Sequence, residues 1–278
     1  MISFRPYPGF IFKRVTRSLG ISIQRFKFPK DQNKSMEKLD EMLQKNIPVG
    51  CLVGVFHLSY FPEAYRFHFN AHNLVVFGKE NDEYQISDPI IEHPVSLTYN
   101  ELKRVRYARG TYPPKGRMYY ITDVAKDYDL QAAIKKAIQK SVKDMLTIPI
   151  PLFGIKGIRY MARKMKKWPN KLGERKASLY LGQVVRMLEE IGTGGAGFRF
   201  MYAAFLQEAA KELKLDWLHK CSDEMTAAGD RWREFAIVAG RIFKGRGSKE
   251  ESYQAASEIL MDIADREEKI FRQLKNLK

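Results

Sequence analysis

Cysteine is nearly absent from the 278-residue chain: Cys51 and Cys221 are the only two. Two thiols cannot build a disulfide framework or a paired-cysteine metal site. Such scarcity fits a reducing compartment, so the cytoplasm is the expected location. Long apolar runs are absent as well. No stretch approaches roughly 18 uninterrupted apolar residues, so no transmembrane helix is expected. The start, MISFRPYPGFIFKR, has no apolar run behind a basic end and no small-residue cleavage site, and does not read as a signal peptide. Internal repeats and low-complexity linkers are missing, which excludes a repeat array and a disordered tether. What is present is ordinary: 45% hydrophobic and 29% charged residues, enough for one large folded domain or two modest ones.

Acid is scarce relative to base. There are 48 Lys and Arg against 32 Asp and Glu, a net charge of +16. Between Lys156 and Arg186 ten basic residues face one acid, Glu174, a local +9. Lys13, Arg14, Arg17, Arg25, Lys27, Lys30 and Lys34 form a second basic stretch. A clustered positive field suits an anionic partner. A solvated lysine face is the other reading. No helix-turn-helix, zinc-finger or RNA-recognition signature accompanies the charge, so no specific nucleic-acid partner is expected.

The pattern of the chain changes near residue 122, giving an expected α/β domain over 1–122 and a helical domain over 123–278. In the first, Met36, Leu39, Leu43 and Ile47 recur at helical spacing, with Ser35 as the expected cap and Pro48 as the stop. VGCLVGVF (49–56) reads as a buried strand. NLVVFGK (73–79) and EYQISD (83–88), parted by Glu80-Asn81-Asp82, read as a hairpin. A strand over 95–99, a helix over 100–108 and a closing strand over 117–122 complete the domain. From Lys126 onward the period is 3.6. The expected stripes include Leu130, Ile134, Ala137, Val142 and Met145, then Phe198, Met201, Phe205, Ala209 and Leu213. The expected fold class is therefore α+β, an antiparallel-sheet domain followed by an all-α domain.

The constellation with chemical content is His72 and Asp88. Paired residues of an antiparallel hairpin have a constant sum of positions. A turn centred on Glu80 or Asn81 makes that sum about 160–162 and sets His72 opposite or diagonal to Asp88 on one face. An imidazole oriented by a carboxylate is the base half of a nucleophilic site; a surface His–Asp pair is the alternative. Beside it, the loop HLSYFPEAYRFHFN (57–70) carries Tyr60, Tyr65 and Phe67, which could wall a substrate or form an inter-domain contact. His57 and His68 lie in the same loop without ligand spacing, and no metal is expected.

The stretch KNIPVGCLVGVFHLSYFPEAYRFHFNAHNLVVFGKENDEYQISDP resembles the His/Asp half of papain-like cysteine enzymes. More closely it resembles the family of the butirosin-biosynthesis acyltransferase BtrH. IGTGGAGFRFMYAAFLQEAA (191–210) resembles the glycine-rich turn and helix of that family's helical domain. The resemblance implies a papain-like first domain. It also implies transfer of an acyl group from an acyl carrier protein thioester to an amine or hydroxyl of a small-molecule acceptor, in secondary-metabolite biosynthesis. His72 would be the base and Asp88 its orienter. No cofactor is implied beyond phosphopantetheine on the partner. In that family the nucleophile is a cysteine at the start of a helix ahead of the region matching SFRPYPGFIFKR. The expectation is thus a nucleophile outside this sequence and an N-terminally incomplete domain, inactive as it stands, either a fragment or a homologue that has lost catalysis. A non-catalytic binding or scaffold protein is the competing reading.

Cys51, in an apolar strand, and Cys221, on a helical stripe, read as small core residues rather than nucleophiles. Gly192–Gly197 before a helix, with Gly194, Gly195 and Arg199, could cradle an anion or a carrier's phosphopantetheine; a flexible helix–helix turn is the plainer reading. Arg163, Lys164, Lys166 and Lys167 follow the apolar Ile148–Ile155 segment. Carrier docking is the preferred role for them, and a peripheral membrane contact is the second.

Overall fold

The computed structural model describes residues 9–190 and 194–277. Among them, 9–128 and 129–277 form two units, each with its own apolar core.

The first unit runs α1 (Phe10–Ser18), β1 (Ile21–Phe26), α2 (Gln32–Gln44), β2 (Val49–Val53), β3 (His72–Glu80), β4 (Glu83–Ser87), β5 (Val95–Thr98), α3 (Tyr99–Arg106) and β6 (Met118–Val124). The strands form one antiparallel sheet in the order β1-β6-β2-β3-β4-β5. One sheet face carries Val49, Cys51, Val53, Leu74, Val76, Tyr84, Ile86 and Leu97. It is sealed with Met36, Leu39 and Met42 of α2 and Leu102 and Val105 of α3. Alternation within β3, buried at His72, Leu74 and Val76 and exposed at Val75 and Phe77, is the signature of a sheet with one covered face.

Several local expectations change. The cap of α2 is Asp31, whose side chain accepts from the Lys34 amide, and Ser35 lies buried inside the helix. The apolar run after Pro48 leaves the strand at Val53, and Val55–His57 is a 3-10 turn. α3 opens with a capping box between Thr98 and Glu101. β6 does not close the sheet; it lies between β1 and β2. α1 and β1 were not expected. Arg106 is fully buried, donating to the Ser35 carbonyl at 3.2 Å and lying 3.1 Å from Met36 Sδ.

The second unit contains α4 (Leu130–Leu146), α5 (Gly154–Met165), α6 (Trp168–Leu172), α7 (Glu174–Glu189), α8 (Arg199–Leu213), α9 (Trp217–Phe243) and α10 (Tyr253–Leu274). The helices pack about α9 and α10, whose Met225, Ala228, Trp232, Phe235, Leu260 and Ile263 are core. On α4 the buried stripe is Ile134, Ile138 and Val142, and Ala137 is exposed. On α8 it is Ala203, Leu206, Ala209 and Ala210, and Met201 is 61% exposed. Small alanines, not the large apolar residues of the expected stripe, let α8 approach α9 closely. Gly229 of α9 serves the same end, since a Cβ there would meet Phe200 Cε1 at 2.7 Å.

Candidate functional site

His72 opens β3 and pairs with Val53 of β2. Asp88 directly follows β4. The hairpin between them turns on Asn81 and Asp82, both with positive φ, which is the two-residue turn that matches strand twist. Paired positions sum to 163 beside this turn, as in Lys79↔Tyr84, and to 162 beyond a bulge at Phe77, as in Val76↔Ile86. The bulge decides the site. Had the register of the turn continued, Asp88 would lie across from Val75, on the face opposite to His72. With the extra residue, it falls across from Leu74 and shares the covered face with His72.

The two side chains meet: His72 Nε2 lies 2.7 Å from Asp88 Oδ2. Both are buried, at 7% and 3% exposure. Asp88 is held on every side. Its Oδ1 accepts from the Ile90 amide at 3.0 Å, and its Oδ2 also accepts from the Tyr60 hydroxyl at 2.7 Å. Burial alone would raise the carboxyl pKa. The hydrogen bonds from His72, the Ile90 amide and Tyr60 outweigh it and leave the pKa lowered. The Tyr60 pKa is pushed up, first by burial and then by its bond to Asp88, so the phenol keeps its proton and donates. An ionised carboxylate can only accept, so the imidazole presents Nε2–H to it and Nδ1 remains the proton acceptor. Phe61 packs edge-on to the imidazole at 5.6 Å. The segment leading into β3 is pinned by Asn70, which donates to the carbonyls of Arg109 and Thr111 at 3.0 Å each.

The remaining expected residues are placed as follows. Tyr60 is committed to Asp88. Tyr65 is 60% exposed, and Phe67 packs on Phe69 at 5.9 Å. Cys51 shares the covered face two residues from Val53 but is fully buried, and burial pushes its thiol pKa up. Cys221 is buried, and burial, with the charge of Glu224, pushes its thiol up to about 11. Burial, with the charges of Arg104 and His68, lowers the pKa of His57. Among the described residues no group of three or more His, Cys, Asp or Glu could hold a metal ion. In the helical unit, Gly192 and Thr193 lie outside the described residues. Gly194, Gly195, Ala196, Gly197 and Phe198 all have positive φ. The Ala196 amide donates to the Glu189 carboxylate at 3.0 Å, so this turn already holds an anionic group of its own chain. Arg199 is bound bidentately by Glu267, at 2.7 and 2.9 Å. Arg163, Lys164, Lys166 and Lys167 are exposed.

Two comparisons bear on this geometry. A family model described as butirosin biosynthesis protein H, N-terminal, matches residues 1–89, a span containing both His72 and Asp88. A second, described as a domain of unknown function, DUF4872, matches residues 100–274, more than half of the chain. The chain belongs to the DUF4872 family and is BtrH-like at its N-terminal end. The α+β architecture agrees with a papain-like sheet domain followed by a helical one. The second match begins inside the first unit, so α3 after Tyr99 and all of β6 fall within it. No curated protein matches the chain.

The role of Tyr60 was not legible in the sequence, where it sits 28 residues from Asp88 in a loop with four other aromatics. Only the Asp88-Pro89 step, which favours a side-chain-capped turn, hinted that the carboxylate would be held. Tyr60→Phe removes one hydrogen bond to a charged acceptor, and urea denaturation should show a loss of about 1.5 kcal/mol at neutral pH. Because the folded pKa of Asp88 is lowered, its stabilisation is complete above its unfolded value of about 3.9. It is lost as pH falls through the folded value. The gap between variant and parent should therefore narrow in acid. A gap that stays constant down to unfolding would show that the hydroxyl does not act on the carboxylate.

Proposed function

We propose that the protein is a BtrH-type acyltransferase, moving an acyl group from an acyl carrier protein thioester to an amine or hydroxyl of a small-molecule acceptor. His72 is the general base and Asp88 orients it. One observation carries this reading: a buried imidazole whose Nε2 is fixed 2.7 Å from a carboxylate oxygen, leaving Nδ1 to take a proton. The match of the BtrH N-terminal model to residues 1–89 supports the substrate class.

In the step itself, the attacking X–H group adds to the thioester carbonyl while its proton passes to Nδ1 of His72. The tetrahedral oxyanion then collapses, the C–S bond breaks, and the imidazolium returns the proton to the departing thiolate. Asp88 stays ionised and stabilises the imidazolium. Neither Cys51 nor Cys221 supplies X, since both are buried with thiols pushed up. This sequence offers no third thiol, so the attacking X–H tested with this chain is the acceptor's own amine or hydroxyl.

Thiol release from an acyl-pantetheine thioester, with and without an amine acceptor, tests the proposal. The parent chain should turn over. His72→Ala and the better-filling His72→Gln, each checked for folding by circular dichroism, should lose roughly 10²- to 10⁴-fold in rate. Intact-mass measurement should find no acyl group on Cys51 or Cys221. Turnover that survives both histidine variants, or a folded parent chain with no turnover at all, would favour a binding or scaffold role on the same fold.

A further inference from the structure

We propose that the Ile150–Phe153 tip and the basic face of α5 together seat the helical unit on an anionic phospholipid bilayer. This contact is independent of the His72–Asp88 dyad.

The tip begins with the sequence. Pro149 and Pro151 prevent the end of α4 from running on into α5. The five residues Pro149–Phe153 are all exposed, and three are large and apolar: Ile150 at 48%, Leu152 at 62% and Phe153 at 49%. Consecutive exposed apolar side chains are not the composition of a solvated loop. The backbone of this segment is nevertheless firmly held. The Phe153 amide donates to the Ile150 carbonyl at 3.2 Å. A Cβ on Gly157 would meet the Leu152 carbonyl oxygen at 2.6 Å, and one on Gly154 would meet the Met145 carbonyl oxygen at 2.3 Å. The glycines let the turn lie close against α4 and the start of α5, so the apolar side chains project outward from a built support.

α5 continues this surface. Ile155, Ile158, Ala162 and Met165 face the core. On the opposite side Lys156, Tyr160, Arg163 and Lys164 recur at helical spacing and lie in one stripe leading from the tip, and Lys167 follows in the turn after the helix. Lys164 Nζ sits over the Tyr160 ring at 5.3 Å. Among the described residues none of Lys156, Arg163, Lys164, Lys166 and Lys167 forms an ion pair. Arg159, off the stripe, is bound by Asp265 and Glu268 at 2.6 Å each. The uncompensated charge is thus concentrated beside the apolar tip, within the segment that carries a net +9.

These two features select the partner. An acidic carrier protein or a nucleic acid would neutralise the lysines and leave Ile150, Leu152 and Phe153 without an apolar counterpart. An anionic bilayer takes both. Its headgroups meet the basic stripe, and its acyl boundary, about 5–10 Å below the surface, receives the tip. No described helix is long and apolar enough to cross a membrane, so the contact proposed is peripheral.

The full chain is to be co-sedimented with phosphatidylcholine vesicles and with vesicles of phosphatidylcholine and phosphatidylserine. Binding should occur on the anionic vesicles only and weaken steeply with salt. Leu152→Ser with Phe153→Ser changes exposed positions and should weaken binding roughly tenfold or more without altering the circular dichroism. Lys156→Glu with Lys164→Glu should weaken it by about five-fold per charge removed, or more. Equal binding to both vesicle types would overturn the proposal, as would no binding to either. A serine variant that binds as well as the parent would also overturn it, because the surface would then recognise charge alone, as an acidic protein or duplex DNA would supply.

Discussion

Glu267→Ala should be the most damaging single change in the helical unit, with a loss of about 3–5 kcal/mol in urea or thermal unfolding. Glu267 is fully buried in the second half of α10. Its carboxylate accepts two hydrogen bonds from Arg199, at 2.7 and 2.9 Å, and one from the Trp232 indole at 2.6 Å. Arg199 in turn lies over the Trp232 ring at 4.9 Å and donates to the Gly197 carbonyl at 3.0 Å. One carboxylate therefore joins α8, α9, α10 and the glycine-rich turn. Removing it leaves a largely buried guanidinium and a buried indole N–H without their acceptor, in addition to a cavity. The exposed Glu208–Lys211 pair provides the contrast: Lys211→Ala should cause no measurable change, because both side chains are more than 60% exposed. If Glu267→Ala unfolds at the same denaturant concentration as the Lys211 variant, the network does not hold the unit together.

Asp88→Asn should lower the rate of thioester turnover by roughly 10²- to 10⁴-fold, mostly in kcat. An amide has one acceptor, while Asp88 has three donors around it: the Ile90 amide on Oδ1, and Tyr60 and His72 on Oδ2. The backbone donor cannot turn away. The hydroxyl can rotate and the imidazole can change tautomer, so the Asn amide oxygen should face Ile90 and its NH2 should face the ring. His72 must then accept at Nε2 and carry its proton on Nδ1, where it cannot act as a base. Loss of the charge also removes what stabilises the imidazolium. An Asp88→Asn protein that turns over at the parental rate would mean that the carboxylate only packs the hairpin.

Much of this site was legible because a hairpin is a local object. The polar Glu80-Asn81-Asp82 between two apolar runs marks the turn, and the period of two along a strand puts His72 and Asp88 on one face. The expected sum of 160–162 placed His72 and Asp88 together, but it did not foresee the bulge at Phe77, without which they would face apart. Gly78 beside Phe77 is the kind of residue that marks a bulge inside a strand, and the expected sum did not use it. The strand order was less accessible. β1 is half-buried, mixes Ile21 and Ile23 with Gln24 and Arg25, and pairs with β6 about 100 residues away. Pairing at that range is settled by the packing of the whole unit, so β6 was read as an end when it is a middle. In the helical unit the 3.6 period located α4 and α8. On α8 it misassigned the face, because alanines that allow close approach look weaker in the sequence than exposed Met201, and on α4 it put exposed Ala137 where Ile138 is buried. Tyr60 reaches Asp88 through a loop whose path no periodicity encodes.

The central claim is that Asp88 fixes His72 with a bare Nδ1, ready to take a proton. Nitrogen-15 NMR of the imidazole, assigned by loss of its signals in His72→Gln, reads this directly. In the neutral ring the account predicts a proton on Nε2 and none on Nδ1, with the Nε2 proton shifted as expected for a bond to a carboxylate. In Asp88→Asn the proton should move to Nδ1. A parent protein whose His72 carries its proton on Nδ1, or exchanges freely between the two nitrogens, would contradict the account.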